Sequence, residues 1–199
     1  MTPTASHLED LIARVRARER ASAMDARPRL RTAILTCMDA RIDPAILFGL
    51  KPGDVNILRN AGARVTPDVL RSLAVSQAML GTREVLVLAH TECGLLGRTE
   101  EEVAGIVERA SGHLPKVPMG SFHDLDAAVH ESVEAIRNCS FLAHRDMVRG
   151  YVLDVADGNV REHGGAKGGA ERTSPPSGSS VLGLGALRAD VLNLRRPKR

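Results

Sequence analysis

Two cysteines, a histidine, an aspartate and an arginine stand just past the ends of two apolar runs. Ala33-Ile34-Leu35 leads into Thr36-Cys37-Met38-Asp39-Ala40-Arg41, and Val85-Leu86-Val87-Leu88-Ala89 leads into His90-Thr91-Glu92-Cys93-Gly94. Cysteine thiolate and neutral imidazole are favoured zinc ligands, and a set of three leaves the fourth tetrahedral position open to water. Asp39 and Arg41 add an acid–base pair directly after the first cysteine. If the two runs are neighbouring buried strands, Cys37, His90 and Cys93 meet at one point, and the group reads as a catalytic metal site. A lone cysteine at a strand end is usually only a small apolar side chain. The conjunction of the two motifs is what carries the reading.

The elements that must position these residues follow from periodicity and punctuation. Ser6 and Glu9 have capping-box spacing, and Leu8, Leu11, Ile12 and Val15 recur at helical intervals, predicting a helix to about Met24. A strand is expected over Leu30–Thr36, then a short helix opened by Asp43-Pro44 and running through Leu47. Val55–Leu58 reads as a second strand ending in Arg59-Asn60-Ala61-Gly62. Thr66-Pro67-Asp68 starts a helix to about Leu80 that is apolar nearly all round and is expected to be buried. Glu84–Ala89 is the third strand, followed by helices over Glu100–Ala110 and about Ser121–Arg137. A last strand over Arg149–Val155 is closed by Asp157-Gly158. Strands alternating with helices, and apolar runs with little polar alternation, predict an α/β fold. Its central sheet is mostly parallel with helices on both faces. The N-terminal helix, with its single apolar stripe, is available to dock on a partner subunit. In such sheets ligands gather at the carboxyl ends of the strands, where both motifs fall.

Composition narrows the class. The 199 residues suit one domain with a substantial core. Residues 1–28 are expected to form the helix and linker, and 29–158 the catalytic domain. Residues 159–199, rich in Gly, Ser and Pro, cannot bury enough apolar surface to order and are expected to be largely disordered. The chain carries 27 Lys/Arg against 24 Asp/Glu. Eight of the basic and three of the acidic residues lie beyond residue 160, so the first 160 residues carry 19 against 21. The basicity belongs to the tail, and with one Tyr, three Phe and no Trp there is little for a base to stack on. No nucleic-acid partner is expected. Three cysteines argue for a reducing compartment rather than a disulfide framework. Charged residues from Glu9 to Arg20 leave no apolar leader, and no run approaches the ~18–20 residues that span a bilayer. The expectation is a cytoplasmic protein with no membrane partner.

With these residues in hand, the stretch from Arg29 to Val155 resembles the β-class carbonic anhydrases. Cys37, His90 and Cys93 match that family's zinc ligands, and Asp39 and Arg41 match its acid–base dyad. The Arg59-Asn60-Ala61-Gly62 run, the helix from Ser72 to Leu80 and the Gly150-Tyr151-Val152 strand also look like family segments. Plant-type members carry a Gln where this chain has Pro28, a departure shared with the smaller microbial branch that lacks those pocket residues. The resemblance implies one Zn2+ per chain, reversible hydration of carbon dioxide to bicarbonate and a proton, and a homodimer or higher homo-oligomer. It also implies that Asp39 can turn to the zinc as a fourth ligand and that Arg41 competes for it. Two alternatives stay open: hydrolysis of carbonyl sulfide or carbon disulfide on the same site, and a non-enzymatic zinc-binding module closed by Asp39.

Other candidates carry blander readings. Cys139 is expected to be an inert thiol remote from the motifs. His123 and His130, seven residues apart, lack metal-pair spacing and are expected to be solvated. His144 is a candidate proton shuttle. Glu92, between two ligands, is expected to face solvent or a neighbouring donor rather than the metal.

Overall fold

The computed structural model describes residues 7–17 and 25–163. The expected cap at Ser6, the helix beyond residue 17 and the whole stretch 164–199 lie outside them. Strands β1 (Thr32–Cys37), β2 (Asn56–Asn60), β3 (Glu84–His90), β4 (Val148–Leu153) and β5 (Val160–Glu162) form one sheet in the order β2-β1-β3-β4-β5. The β1–β2, β1–β3 and β3–β4 pairs are parallel, and only β5 runs antiparallel. Helices α1 (His7–Ala17), α2 (Pro44–Phe48), α3 (Pro67–Leu80), α4 (Glu100–Ser111) and α5 (Leu125–Arg137), with a short 3-10 turn at Ala61–Ala63, complete the described elements. Among the described residues no helix is long and apolar enough to cross a membrane.

The core divides across the sheet as strand alternation requires. Val85, Val87 and Ala89 of β3 face one side, where they meet Val69 and Leu73 of α3 and Val129, Val133 and Ile136 of α5. Leu86 and Leu88 face the other, with Leu47 of α2, Leu95, Leu96, Phe122 and Leu153. Thr36, fully buried in β1, satisfies its hydroxyl on the Leu88 carbonyl at 2.9 Å. The interior therefore hides no unpaired hydroxyl there.

Helix ends obey local rules. Asp43 caps α2 with Pro44 behind it, Thr66 caps α3 with Pro67, and Thr99 and Glu102 form a reciprocal capping box on α4. Four expectations need correction. The fifth helix begins at Leu125, capped by Asp124, rather than at Ser121. Ser121 is instead held by Glu100, which accepts from its backbone N–H and its hydroxyl at 2.7 and 2.8 Å. Helix α3 buries only Val69, Leu73, Ser76 and Gln77, while Val75 and Met79 stay exposed. One sheet face accepts one helix face, whatever the composition of the outer side. Strand β1 begins at Thr32, because Arg29 and Leu30 form a turn closed by the Arg31 N–H on the Pro28 carbonyl, with Arg31 at φ 51°. Finally, the sheet does not stop at Gly158. The turn after β4 returns the chain as β5, and Arg161 clamps Asp126 of α5 through two contacts of 2.7 Å. A three-residue edge strand has too little periodicity to be seen in sequence.

Gly150 shows how tightly α5 lies on the sheet. A Cβ there would stand 2.4 Å from Val129 Cγ1 and 2.9 Å from Val133 Cγ2. Both neighbours are β-branched side chains with few alternative rotamers. Gly150→Ala is expected to cost about 1–3 kcal/mol through overpacking, read as a lowered urea midpoint with unchanged slope. An unaltered midpoint would mean that the helix–sheet contact is looser than described.

Candidate metal centre

Parallel pairing of β1 with β3 in the register Thr36↔Leu88 brings Cys37, the last residue of β1, close to His90, the last of β3. Cys93 returns from the turn that follows. The two Sγ atoms and a His90 ring nitrogen all lie within 4.8 Å of one another, and all three residues are buried. Cys139 sits in the α5-side core, away from this group.

The donor chemistry fits a bound cation. His90 Nδ1 pairs with the Thr91 carbonyl at 2.8 Å, which makes Nδ1 the protonated nitrogen. Nε2 is then an unprotonated lone pair, buried without any hydrogen-bond partner. An orphaned acceptor of this kind is costly unless something binds it. The thiols are equally unfinished. Cys93 donates to Cys37, which holds the Cys37 thiol well below its ordinary range and pushes Cys93 up. Two sulfurs sharing one proton are arranged for a divalent cation that replaces it. Thus the residues present suit a metal with soft and imidazole ligands.

The chain wraps Cys37 from β2. Gly62 N–H donates to Cys37 Sγ at 3.4 Å, and Met38 N–H donates to the Asn60 carbonyl at 2.9 Å. Gly62 has φ 74°, and a Cβ would press to 3.2 Å on Leu95 Cδ1 and Phe122 Cε1. Glycine is needed for the backbone to reach the sulfur. Arg59 contributes a role the sequence reading missed. Its Nε donates to the Cys37 carbonyl at 3.0 Å and its Nη2 to the Asp39 carbonyl at 2.8 Å. One planar guanidinium thereby holds both ends of the Cys-Met-Asp turn. The only sequence signal was the Arg59–Gly62 run, which carried no role of its own.

Asp39 and Arg41 meet as expected. Arg41 Nε and Nη2 donate to the two carboxylate oxygens at 3.1 and 2.9 Å, and the Arg41 backbone N–H adds a third bond at 2.9 Å. Those bonds hold the Asp39 carboxyl down at about 2. Its Oδ2 lies 4.0 Å from His90 Nε2, beside the Cys37, His90 and Cys93 cluster. Glu92 does face a donor rather than the ligand cluster: its carboxylate accepts from Arg41 Nη1 at 2.9 Å and its carbonyl from Nη2 at 3.2 Å. Glu92 takes φ 56°, an uncommon conformation for a residue with a Cβ.

His144 is not part of this group. It precedes β4, at the opposite end of the sheet, and its backbone N–H and C=O are both bonded to the Gln77 amide. The proton-shuttle expectation for His144 therefore has no geometric support. His123 and His130 are exposed, as expected.

Residues 32–160 match the family model described as carbonic anhydrase. Among curated relatives, "Beta-carbonic anhydrase 1" of Mycobacterium tuberculosis is 40% identical over 135 residues, covering 68% of this chain and 83% of that protein. A "Carbon disulfide hydrolase" of Acidianus sp. is 46% identical over 153 residues, covering 65% of this chain and 75% of that protein. Among solved structures, a carbonic anhydrase from Streptococcus mutans aligns with a TM-score of 0.73 at 36% identity, over 80% of this chain and 99% of that one.

Two substitutions separate holding a metal from shaping its surroundings. Cys93→Ser replaces a thiolate by a hydroxyl that stays protonated at neutral pH, and is expected to lose most of its divalent metal by elemental analysis. Arg59→Ala leaves every ligand in place and is expected to keep the metal but release it to a chelator about tenfold faster or more. Full metal occupancy in Cys93→Ser would end the ligand assignment, and unchanged release in Arg59→Ala would end the role given to Arg59.

Proposed function

The chain belongs to the β-class of the carbonic anhydrase family, and on that premise we propose that it hydrates carbon dioxide reversibly to bicarbonate and a proton with one zinc ion per chain. The observation that carries this reading is the unpartnered, buried Nε2 of His90, set between two thiols and beside the Asp39–Arg41 pair. Cys37, His90 and Cys93 would hold the ion. When bound, zinc supplies Lewis-acid chemistry, lowering the pKa of water so that a nucleophile is available near neutral pH. The chain's own residues do the rest. Thr91 O fixes the His90 tautomer, so the ring presents a lone pair rather than a proton. Arg41 keeps Asp39 ionised throughout the neutral range, so the carboxylate accepts a hydrogen bond there and does not donate one. That polarity orients a nucleophilic water by its proton and leaves its lone pair free for the carbon of the substrate. Arg59, holding the Cys37 and Asp39 carbonyls, sets how far the carboxylate can swing.

A second reading rests on the relatives named as carbon disulfide hydrolases, one of them 46% identical. The same three ligands and dyad would serve attack on the carbon of carbon disulfide. Stopped-flow hydration of carbon dioxide, run beside carbon disulfide hydrolysis on zinc-loaded protein, tests the proposal. Turnover of carbon disulfide without carbon dioxide hydration would replace the first reading by the second. Inactivity on both with full zinc content would favour a non-catalytic zinc module. Since oxidation of Cys37 and Cys93 would remove two ligands, a reducing cytoplasmic setting is part of the proposal.

The dyad gives the sharpest check. In Arg41→Ala, Asp39 loses its competitor and is free to turn to the zinc. Activity near pH 7 is expected to fall about tenfold or more, ~1.4 kcal/mol in the barrier, with zinc content unchanged. Part of it should return toward about pH 9, where hydroxide is more abundant. Wild-type hydration by Arg41→Ala across that range would remove the proposed role of the pair.

We also propose a homodimer, or a higher assembly built from it. The apolar stripe of α1 is exposed at Leu8, Leu11, Ile12 and Val15, and Ile57 is exposed on β2, an edge strand of the sheet. Unpaired edges and uncovered stripes are the features a second copy would bury. Light scattering at micromolar concentration is expected to give at least twice the chain mass, and a purely monomeric result would contradict it.

A further inference from the structure

At the amino-terminal ends of β1 and β3, opposite the metal centre, lies a groove of about 510 Å³ whose lining includes Asp25, Arg27, Arg29, Arg31, Arg83 and the polar His144. We propose that this groove is a binding site for a small, multiply charged phosphate compound, separate from the catalytic centre and independent of its chemistry. Four arginines and one acid, Asp25, line it, in a body whose first 160 residues carry 19 Lys/Arg against 21 Asp/Glu. Clustering like charges costs free energy unless an anion answers them. Arg29 is answered, by Asp54 at 2.9 Å. Among the described residues, no ion pair engages the side chains of Arg27, Arg31 and Arg83.

The backbone beneath these side chains is built rather than loose. Arg31 takes φ 51°, a conformation that side-chain-bearing residues seldom adopt without a constraint. Its N–H donates to the Pro28 carbonyl at 3.0 Å, and its carbonyl accepts from the backbone N–H groups of Arg83 at 2.7 Å and Glu84 at 3.3 Å. The stems of Arg31 and Arg83 are thus tied directly together. Arg29 and Leu30 N–H groups bond the Gly53 and Asp54 carbonyls at 2.9 Å and secure the other flank. His144 is held at the wall by its two backbone bonds to the buried Gln77 amide. The carboxyl end of α3 also reaches the groove and would repel an anion. There the Gly81 and Thr82 N–H groups both turn back onto the Ser76 carbonyl, inside the last turn, so it is the arginine cluster that is set against that repulsion.

The chemistry of the lining selects the ligand class. Guanidinium forks match phosphate oxygens pairwise. The volume falls within the range of small-ligand sites, about 300–1,000 Å³. No Phe, Tyr or Trp lines the groove, so nothing favours a stacked base. The charge of the phosphates, and not an aromatic ring, is what the site recognises.

The test is calorimetric titration of the full-length, zinc-loaded protein with inorganic pyrophosphate at low and moderate salt. Saturable binding that weakens with salt is expected. The double variant Arg31→Ser/Arg83→Ser and, separately, Arg27→Ser are expected to weaken binding, the double variant by at least about tenfold. Arg109→Ser, at the last turn of α4, should leave it unchanged. Thermal midpoints are measured for every variant, and the single Arg27→Ser change decides the matter if the double variant is unstable. Absence of binding to the wild type at millimolar pyrophosphate would overturn the proposal. So would undiminished binding by well-folded groove variants, or equal loss in Arg109→Ser.

Discussion

Parallel pairing between β1 and β3 is the constraint on which the rest of the structure depends. Its register puts Thr36 beside Leu88, and the hydroxyl of the first bonds the carbonyl of the second. Two strands that run the same way end on the same side, so the residues just past their ends share one place. A one-residue slip would turn Cys37 toward the wrong face, because strand side chains alternate. The apolar cost of such a slip would be high: β1 buries Ala33 to Cys37 without interruption, and β3 buries Val87 to His90. Core packing thus sets the register, and the register brings Cys37, His90 and Cys93 together.

Around that convergence the electrostatics form a balanced set. Two thiols and a neutral imidazole form a donor set whose two thiolates would neutralise a divalent cation. Asp39 and Arg41 cancel one another while lying against the same spot, and Glu92 takes the remaining donor of Arg41. Arg59 adds a cation that touches only backbone carbonyls. Its charge works by position: it holds a turn without competing for the carboxylate. The arrangement leaves the Asp39 carboxylate 4.0 Å from His90 Nε2 yet held by Arg41, a poise that depends on hydrogen-bond geometry more than on charge count.

The basic groove stands in contrast to the metal centre. There, a buried cluster of two cysteines and a histidine lies under an interlocked set of partly exposed charges, Asp39, Arg41 and Glu92. At the far end of the same strands, exposed arginines are fixed by their backbones and share only one carboxylate on the lining. Two ends of one sheet therefore carry opposite chemistry, a buried set of soft and imidazole donors and an exposed cluster of cations.

Much of this was legible in the residues. Cys37, His90, Cys93, Asp39 and Arg41 stand out because their chemistry is rare at strand ends, and apolar runs with few breaks betray a covered parallel sheet. Helix starts at Asp43 and Thr66 are local hydrogen-bond signals and agree with the caps the structure shows, whereas the Thr99 capping box was not singled out. What escaped depends on contacts distant in the chain. Ser121 looked like a helix start until Glu100 claimed it, and β5 is too short to announce itself. Helix α3 looked buried by composition, but only packing decides which face is covered. His144 is near β4 in sequence, yet the parallel sheet carries it to the end away from the ligands. Arg59 was one arginine among many until the fold laid it across the Cys37 turn. Local chemistry and periodicity are written in short stretches of chain. Partners contributed by other strands are not, because they exist only once the sheet has brought the stretches together.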